Sequence, residues 1–262
     1  MIRRNLTLLF AFTFFLGLTA SAQTADEIIQ KSIDARGGMQ KLKAIKSIKA
    51  TGKLTLTGQG LEAPITLQQK RPGAFRMELT LQGKSMVQAY DGDSGWKIDP
   101  FQGSSEPEKL AGDDLKDALE QADMDGPLVD YKAKGHTVEL LGKEDLEGTP
   151  VYKLKVTLKS GDVHYVYIDA GNYLELKTTS KRKSQGGEVE IDSYQSNYKP
   201  VNGVLFPFSI EQKAQGQTMA QIAVDKIDID APIDDAVFKM PVKPADKPKA
   251  EEKPKDKPPA RF

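Results

Sequence analysis

Residues 70–101 read KRPGAFRMELTLQGKSMVQAYDGDSGWKIDPF, and this stretch decides the fold class. Apolar and polar residues alternate from Phe75 to Leu81, a period of two that is typical of a half-buried β-strand. Gly83–Lys84 turns the chain into another strand, and Asp91–Gly92 has the composition of the next hairpin turn. The stretch therefore predicts antiparallel strands joined by short hairpins.

The same alternation continues on both sides of this stretch and predicts about ten strands in all. The further predicted strands are Ile48–Thr57, Leu61–Leu67, Tyr152–Leu158, Val163–Ile168, Leu174–Ser180, Val189–Tyr198, Val204–Gln212 and Met219–Ile229. In the last of them the apolar positions change parity between Val224 and Ile227. A β-bulge at that point would account for the change.

Three segments carry helical patterns instead. Thr24–Glu27 (TADE) is a capping box before a helix over Ala25–Arg36, and Gly37–Gly38 supplies its C-terminal cap. Met39–Ile45 predicts a second short helix. The acidic segment Glu106–Asp123 has apolar residues at helical spacing and predicts a third helix inserted between strands.

Residues 1–22 have the pattern of a secretory signal peptide. Arg3–Arg4 precedes the apolar run Leu6–Leu18, and Ala20–Ala22 has the small residues of a cleavage site. We expect cleavage after Ala22 and export to the periplasm. A retained membrane anchor is the alternative, although the apolar run is short for a membrane span.

Residues 242–262 form a tail rich in proline and lysine, which we expect to be disordered. A folded domain over residues 23–241 remains between the two ends. The chain has no cysteine, so this domain must be stabilised by core burial without disulfides. Lys and Arg number 37 and Asp and Glu also 37, a balance that argues against nucleic acid as a partner.

The sequence contains no convincing motif for catalysis or metal binding. Asp91-x-Asp93-x-Gly95 resembles the start of a calcium loop, but Gly95, Trp96 and Gln102 stand where the loop needs an oxygen ligand, a glycine and a glutamate. The nucleophile and nucleotide-binding motifs GxSxG, GxGxxG and GxxxxGK[ST] are not found. We therefore expect no enzyme activity, no metal and no cofactor.

The predicted strands and helices favour one large curved antiparallel sheet with an apolar face and a polar face. Such a sheet must cover its apolar face. Short helices can cover only a part of it. The remainder is either closed up as a barrel core or left as a cavity for a ligand.

The order Lys-Arg-Pro-x-x-Phe from Lys70, followed by Asp-Gly-x-x-x-Trp-x-x-x-Pro-Phe from Asp91, resembles the LolA-like family of periplasmic outer-membrane lipoprotein carriers. The segments YVYIDAGNYLELK and YKPVNGVLFPFSIE are similar to the later strands of that family. The sequence FKMP at Phe238 resembles the end of its domain. The likeness covers residues 26–241.

The resemblance implies a mainly β fold with helices (α+β), in which a single curved antiparallel sheet forms an unclosed β-barrel, or half-barrel, lidded by short α-helices. It also implies a periplasmic monomer that carries lipoprotein acyl chains, or another lipid, toward the outer membrane. An inner-membrane transporter and an outer-membrane acceptor would then be its partners. Two alternatives stay open: an envelope-stress sensor that binds lipid or lipoprotein, and a structural envelope protein without a ligand.

Apolar residues on the predicted strands are the candidates for the lining of the acyl hollow. These candidates are Phe75, Met77, Leu79, Trp96, Phe101, Leu154, Val156 and Phe206. The family's arginine in the Lys-Arg-Pro motif, implicated in handling and release of the cargo, corresponds to Arg71. Residues Tyr90–Gly103 are interpreted as a hairpin whose aspartates form turns and whose Trp96 and Phe101 belong to the apolar system of the barrel.

Overall fold

The computed structural model describes residues 23–184 and 187–241. The predicted signal peptide and the predicted disordered tail lie outside the described residues. Within the described residues the chain forms three α-helices and thirteen β-strands. The helices are α1 Ala25–Ala35, α2 Met39–Ala44 and α3 Gly112–Ala122. The strands are β1 Ser47–Leu56, β2 Leu61–Lys70, β3 Ala74–Leu81, β4 Lys84–Tyr90, β5 Gly95–Asp99, β6 Ser104–Lys109, β7 Thr137–Leu146, β8 Thr149–Thr157, β9 Val163–Asp169, β10 Glu175–Ser184, β11 Gly187–Val201, β12 Val204–Ala214 and β13 Gln217–Ile229.

All of these strands belong to one sheet in the order β6-β5-β4-β3-β2-β1-β13-β12-β11-β10-β9-β8-β7. Two meanders, β1 to β6 and β7 to β13, are joined by the antiparallel pair β1–β13. Strands β6 and β7 are the two edges and do not pair with each other. The sheet is therefore an unclosed half-barrel with short helices, which confirms the predicted fold class.

The predicted capping box and the first helix are confirmed in detail. The hydroxyl of Thr24 accepts a hydrogen bond from the Glu27 amide, and the Glu27 carboxylate accepts one from the Thr24 amide. Helix α1 ends at Ala35, and Gly37 takes a φ of 123°, which favours glycine. Helix α2 follows as predicted.

The predicted β-bulge in the last strand is also confirmed. Thr51 pairs with Lys226 while Gly52 pairs with Val224, so Asp225 is the extra residue of β13. A Cβ atom on Gly52 would lie 2.3 Å from the Ala223 carbonyl oxygen. Glycine is therefore required where the bulge brings the two backbones together.

The predicted third helix begins later than the sequence pattern indicated. Residues Ser104–Lys109 pair with β5 as the edge strand β6, and helix α3 starts only at Gly112. Pro107 is compatible with this because an edge strand tolerates a residue that lacks an N–H group. Of the apolar residues at helical spacing, Leu110 precedes the helix, and those from Leu115 onward belong to α3.

Both long helices lie on the same face of the sheet, which we call the inner face. Ile48 packs in the cluster that contains the isoleucines of α1, and Ile48 pairs with Gln69 on the neighbouring strand. The side-chain amide of Gln69 donates to the Gln121 carbonyl of α3 at 2.6 Å. Directly paired residues of antiparallel strands share a face, so the register identifies the inner face across the whole sheet.

Candidate functional site

The inner face beneath α1 is closed core, and we call it the packed sector. Leu154 and Val156 of β8 and Val166 and Ile168 of β9 are all 0 % exposed. They pack in one cluster with Ile28, Ile29 and Ile33 of α1. A row of alternating apolar residues is thus fully covered here by a helix of matching apolar face.

The inner face of β1, β2, β3, β12 and β13 is different, and we call it the open sector. Ala63, Phe75, Leu79 and Ala220 are buried on this face, but eight apolar side chains that are paired across these strands remain only half-buried. These side chains are Leu54, Leu56, Ile65, Leu67, Met77, Ile210, Ile222 and Val224. Together they form a continuous apolar surface inside the half-barrel.

Helix α3 crosses the mouth of the half-barrel and contacts both of its sides. On one side Lys97 of β5 pairs with Asp114 at 2.6 Å, and Leu115 lies above Gly95, where a Cβ atom would be 3.2 Å from its methyl carbon. On the other side Asp117 pairs with Arg182 of β10. Helix α3 therefore acts as a strap that bridges the two meanders.

A cavity of about 440 Å³ lies between α3 and strands β9, β10 and β11. The register places His164, Ser180 and Arg182 on the inner face at this cavity. The carboxylate of Glu120 lies 3.5 Å from His164 Nε2. We call this polar part of the inner face, together with its continuation along β10 and β11, the polar sector.

The polar sector continues away from the cavity along β10 and β11. The Glu175 carboxylate accepts hydrogen bonds from the Thr178 hydroxyl at 2.5 Å and from the Gln195 amide at 2.7 Å. The Tyr198 hydroxyl donates to the Glu175 carbonyl at 2.8 Å. Burial raises the pKa of Glu175, with these hydrogen bonds acting in the opposite direction.

Burial also controls the charge of the groups at the cavity. It raises the pKa of Glu120 to about 7, against the influence of the Arg182 charge. It lowers the pKa of His164, and the nearby Arg182 charge acts in the same direction. Near pH 7 His164 is therefore mostly neutral, whereas Glu120 is about half ionised.

Arg71 lies in a buried ion pair at the end of the half-barrel near α2. Its guanidinium donates to both carboxylate oxygens of Asp125, at 2.6 and 2.9 Å, and to the carbonyls of Ile45 and Leu42. Asp125 is 5 % exposed and also pairs with Lys43 at 3.1 Å. Burial raises the pKa of Asp125, but the hydrogen bonds from Arg71 and Lys43 outweigh it, so the net pKa is lowered. Arg71 thus ties β2 to α2 and to the segment that follows α3.

Four of the candidate lining residues lie on the inner face near the open sector. Met77 and Phe206 are half-buried. Phe75 is 0 % exposed and Leu79 is 6 % exposed. Whether any of the four contacts an acyl chain stays a prediction, and only Met77 and Phe206 present accessible surface.

Two further candidates, Leu154 and Val156, lie on the inner face but not in an open hollow. Both belong to the packed sector, are 0 % exposed and lie in the cluster that contains the isoleucines of α1 together with Leu128 and Val129. Their expected place in an accessible lining is corrected for that reason. The alternation identified their face but not what lies above it.

The expected place of Trp96 in the hollow is wrong. Trp96 pairs with Ala89, which pairs with Arg76, on the outer face of the sheet. There its indole N–H donates to the Phe238 carbonyl at 2.7 Å, and the Arg76 guanidinium lies over its ring. The residues after β13 fold back on this face, where Phe238 covers Trp96.

Phe101 also lies outside the hollow. It is 47 % exposed in the turn between β5 and β6, where its amide donates to the Asp99 carboxylate. Asp91 accepts in the same way from the amides of Asp93 and Ser94. The aspartates of this hairpin are turn formers, as predicted.

The open sector contains residues that the sequence analysis did not single out, chiefly Leu54, Leu67 and Ile222. Their alternation was visible, but nothing in it distinguished them from core. Glu120, His164 and Arg182 were missed because they come together only through the path of α3 across the sheet. The spacing of Asp113, Asp117 and Glu120 along one side of α3 was the sole signal in the sequence.

No protein-family profile and no curated protein sequence matches the chain. Solved structures do match it. A DUF1329 family protein from Desulfovibrio piger has a TM-score of 0.58 at 13 % identity and covers 83 % of this chain and 98 % of its own. A LolA superfamily protein from Nitrosomonas europaea has a TM-score of 0.55 at 14 % identity and covers 83 % and 98 %. An outer membrane lipoprotein-sorting protein domain from Vibrio parahaemolyticus has a TM-score of 0.51 at 14 % identity and covers 80 % and 97 %.

These likenesses define the class of protein: a half-barrel of LolA-like fold. The resemblance found in the Lys-Arg-Pro and Asp-Gly…Trp motifs is therefore confirmed at the level of the fold. At these identities the likeness concerns the fold alone. Among the described residues no helix is long and apolar enough to cross a membrane.

Proposed function

We propose that this protein is a periplasmic carrier that binds lipoprotein acyl chains, or another lipid, on the open sector of its half-barrel. The single observation that carries the proposal is the open sector itself, a continuous inner surface of paired apolar side chains left half-buried. Transfer of an acyl chain onto such a surface gains about 0.8 kcal/mol per buried methylene. The proposed activity is binding and transfer, without a chemical step.

The ion pair of Arg71 with Asp125 gives the proposed release step a physical basis. The Lys-Arg-Pro motif, by its resemblance, suggests a role for Arg71 in handling the cargo. Asp125 follows α3 closely in sequence, so the pair fixes one end of the strap that crosses the mouth. A cargo that displaces α3 would strain the Arg71–Asp125 pair. After release of the cargo, the pair would favour the return of α3 to its position across the mouth.

The methionines of this chain offer a direct test of the binding surface. Met77 and Met86 lie on the inner face, where Met77 pairs with Leu67 and Met86 with Leu79. Met219 lies on the outer face and is 56 % exposed. We expect titration of laurate or a diacylated cysteine peptide into protein with ¹³C-labelled methionine methyl groups to shift the Met77 and Met86 resonances. The Met219 resonance should stay in place.

A pair of substitutions extends the test. Met77→Glu places a carboxylate on the open sector and should weaken laurate binding at least tenfold, because the acyl chain would have to desolvate the charge. Met219→Glu, the matched change on the outer face, should leave binding unchanged. Equal shifts at all three methionines, or equal affinities of the two variants, would exclude the open sector as the binding surface.

A further inference from the structure

The inner face is chemically divided, and a bare acyl chain accounts for only one part of it. The open sector is lined by aliphatic side chains, whereas the inner side of β10 and β11 carries mostly polar ones, with Val189 and Ile191 as exceptions. These polar residues are Glu175, Thr178, Ser180, Arg182, Ser193 and Gln195. The division follows the strands and is not confined to one turn or loop.

The cavity beneath α3 lies in this polar sector. Its volume of about 440 Å³ falls within the range of roughly 300–1,000 Å³ that small-molecule sites occupy. Ser180 and His164 line it from the sheet, and Asp117 and Glu120 line it from α3. Donors and acceptors thus surround one space between α3 and the inner side of β9 and β10, and it is also lined by Lys155, Tyr165, Thr179 and Lys181 of the outer side.

Most of the charges at the cavity are compensated within the protein. Asp117 is paired with Arg182, Glu120 faces His164, and Asp162 lies 3.4 Å from Lys116. A head group with a net charge would have to compete with one of these pairs. A neutral head group could use their remaining lone pairs and protons without disrupting any of them.

We infer that the ligand is an amphiphile whose neutral, multiply hydroxylated head group, such as a glycosyl group, is held in the cavity beneath α3 while its acyl part lies on the open sector. This inference rests on the proposed lipid-binding function and narrows it. The head group is enclosed by protein, and the strap α3 covers it together with the chain. Ligands would accordingly be selected by head group as well as by chain length.

Calorimetric titration with two chain-matched probes tests the inference: dodecyl maltoside below its micelle concentration, and laurate. Wild type should bind the maltoside at least tenfold more tightly than laurate. Ser180→Leu fills the cavity without changing a charge, and it should remove this preference by weakening maltoside binding at least tenfold while laurate binding changes less than twofold. Ser209→Leu, on the outer face of β12, is the matched control and should behave as wild type.

The outcomes separate the inference from the function on which it rests. Binding of neither probe to wild type would overturn the proposed function. Equal binding of both probes to wild type, or equal losses in Ser180→Leu, would overturn the head-group inference alone. If Ser180→Leu does not fold, hydrogen exchange of the wild-type protein tests the head-group inference instead. Maltoside, but not laurate, should slow exchange in residues 112–122 and 175–184, and equal slowing by both probes contradicts the inference.

Discussion

The packed sector and the open sector are built from the same alternating sequence pattern but have opposite outcomes. Leu154 in β8 is fully buried, whereas Leu67 in β2 is half-buried on the same face of the same sheet. The difference lies in what covers them. Helix α1 brings three isoleucines onto β8 and β9. The buried residues of α3 are the alanines Ala118 and Ala122. A helix with small buried side chains can bridge a sheet without filling the space beneath it.

The largest expected effect tests this difference with two identical substitutions. Leu154→Ala should lower the free energy of unfolding by about 4 kcal/mol, because it leaves a cavity in close-packed core. Leu67→Ala should cost about 1 kcal/mol, since its side chain is already partly in contact with solvent. Chemical denaturation with both variants is the measurement. Equal losses would show that the open sector is core and would remove the basis of the proposed site.

The next effect concerns the ion pair that fastens the strap. Arg71→Leu should cost about 2–3 kcal/mol, at or below the lower end of the roughly 3–5 kcal/mol for breaking a buried pair, because the Arg71 side chain is 29 % exposed and Lys43 still pairs with Asp125. The lowered pKa of Asp125 contributes stability that is present above pH 3.8 and is lost as the pH falls through the folded-state pKa. The difference between wild type and Arg71→Leu should accordingly shrink in acid.

Denaturation of both proteins at pH 7 and pH 3 measures this dependence. Arg71→Lys, which keeps the charge but not the bidentate geometry, should lie between the two. A difference that is the same at both pH values would mean that Arg71 acts by packing and not through the Asp125 carboxylate.

The sequence predicted most of the sheet, its bulge and the presence of three helices because each depends on local periodicity. It missed the edge strands β6 and β7 and placed the start of α3 too early. The parity change between Val224 and Ile227 was sufficient to place the bulge at Asp225. The sequence did not predict the site equally well, because exposure on the inner face depends on which helix lies above each strand. Trp96 shows a second limit: alternation assigns a face only within a strand, and the hairpin register is needed to relate Trp96 to Met77.

A smaller effect is expected at the cavity, where the strap contacts the polar sector. Burial raises the pKa of Glu120 from 4.5 to about 7, so the folded state holds this proton more tightly than the unfolded state. Its cost to stability therefore appears as the pH rises from 4.5 to about 7 and is fully present above that. Glu120→Gln should raise the free energy of unfolding at pH 8 by about 1 kcal/mol, a value reduced for partial solvent exposure.

At pH 5 the same substitution should have little effect, because Glu120 is then protonated in the folded protein. His164, whose pKa is lowered by burial, has the opposite pH dependence and destabilises the fold as the pH falls below 6.5. His164→Gln therefore serves as the control. It should raise the free energy of unfolding at pH 5 and not at pH 8. A Glu120→Gln effect that is equal at the two pH values would show that the carboxyl does not titrate in the cavity.

The smallest expected effect lies at the C-terminal end, on the outer face. Removal of residues 242–262 should shift the melting temperature by less than about 2 °C, because this lysine- and proline-rich stretch has little apolar surface to bury.

Ending the chain at Asp234 is the matched control. It removes Phe238, which is 1 % exposed and accepts the Trp96 hydrogen bond, so it should lower the melting temperature markedly and shift Trp96 emission to the red. A large loss from the shorter deletion would mean that the tail docks on the domain. Unchanged Trp96 emission in the control would mean that the burial of Trp96 on the outer face does not depend on Phe238.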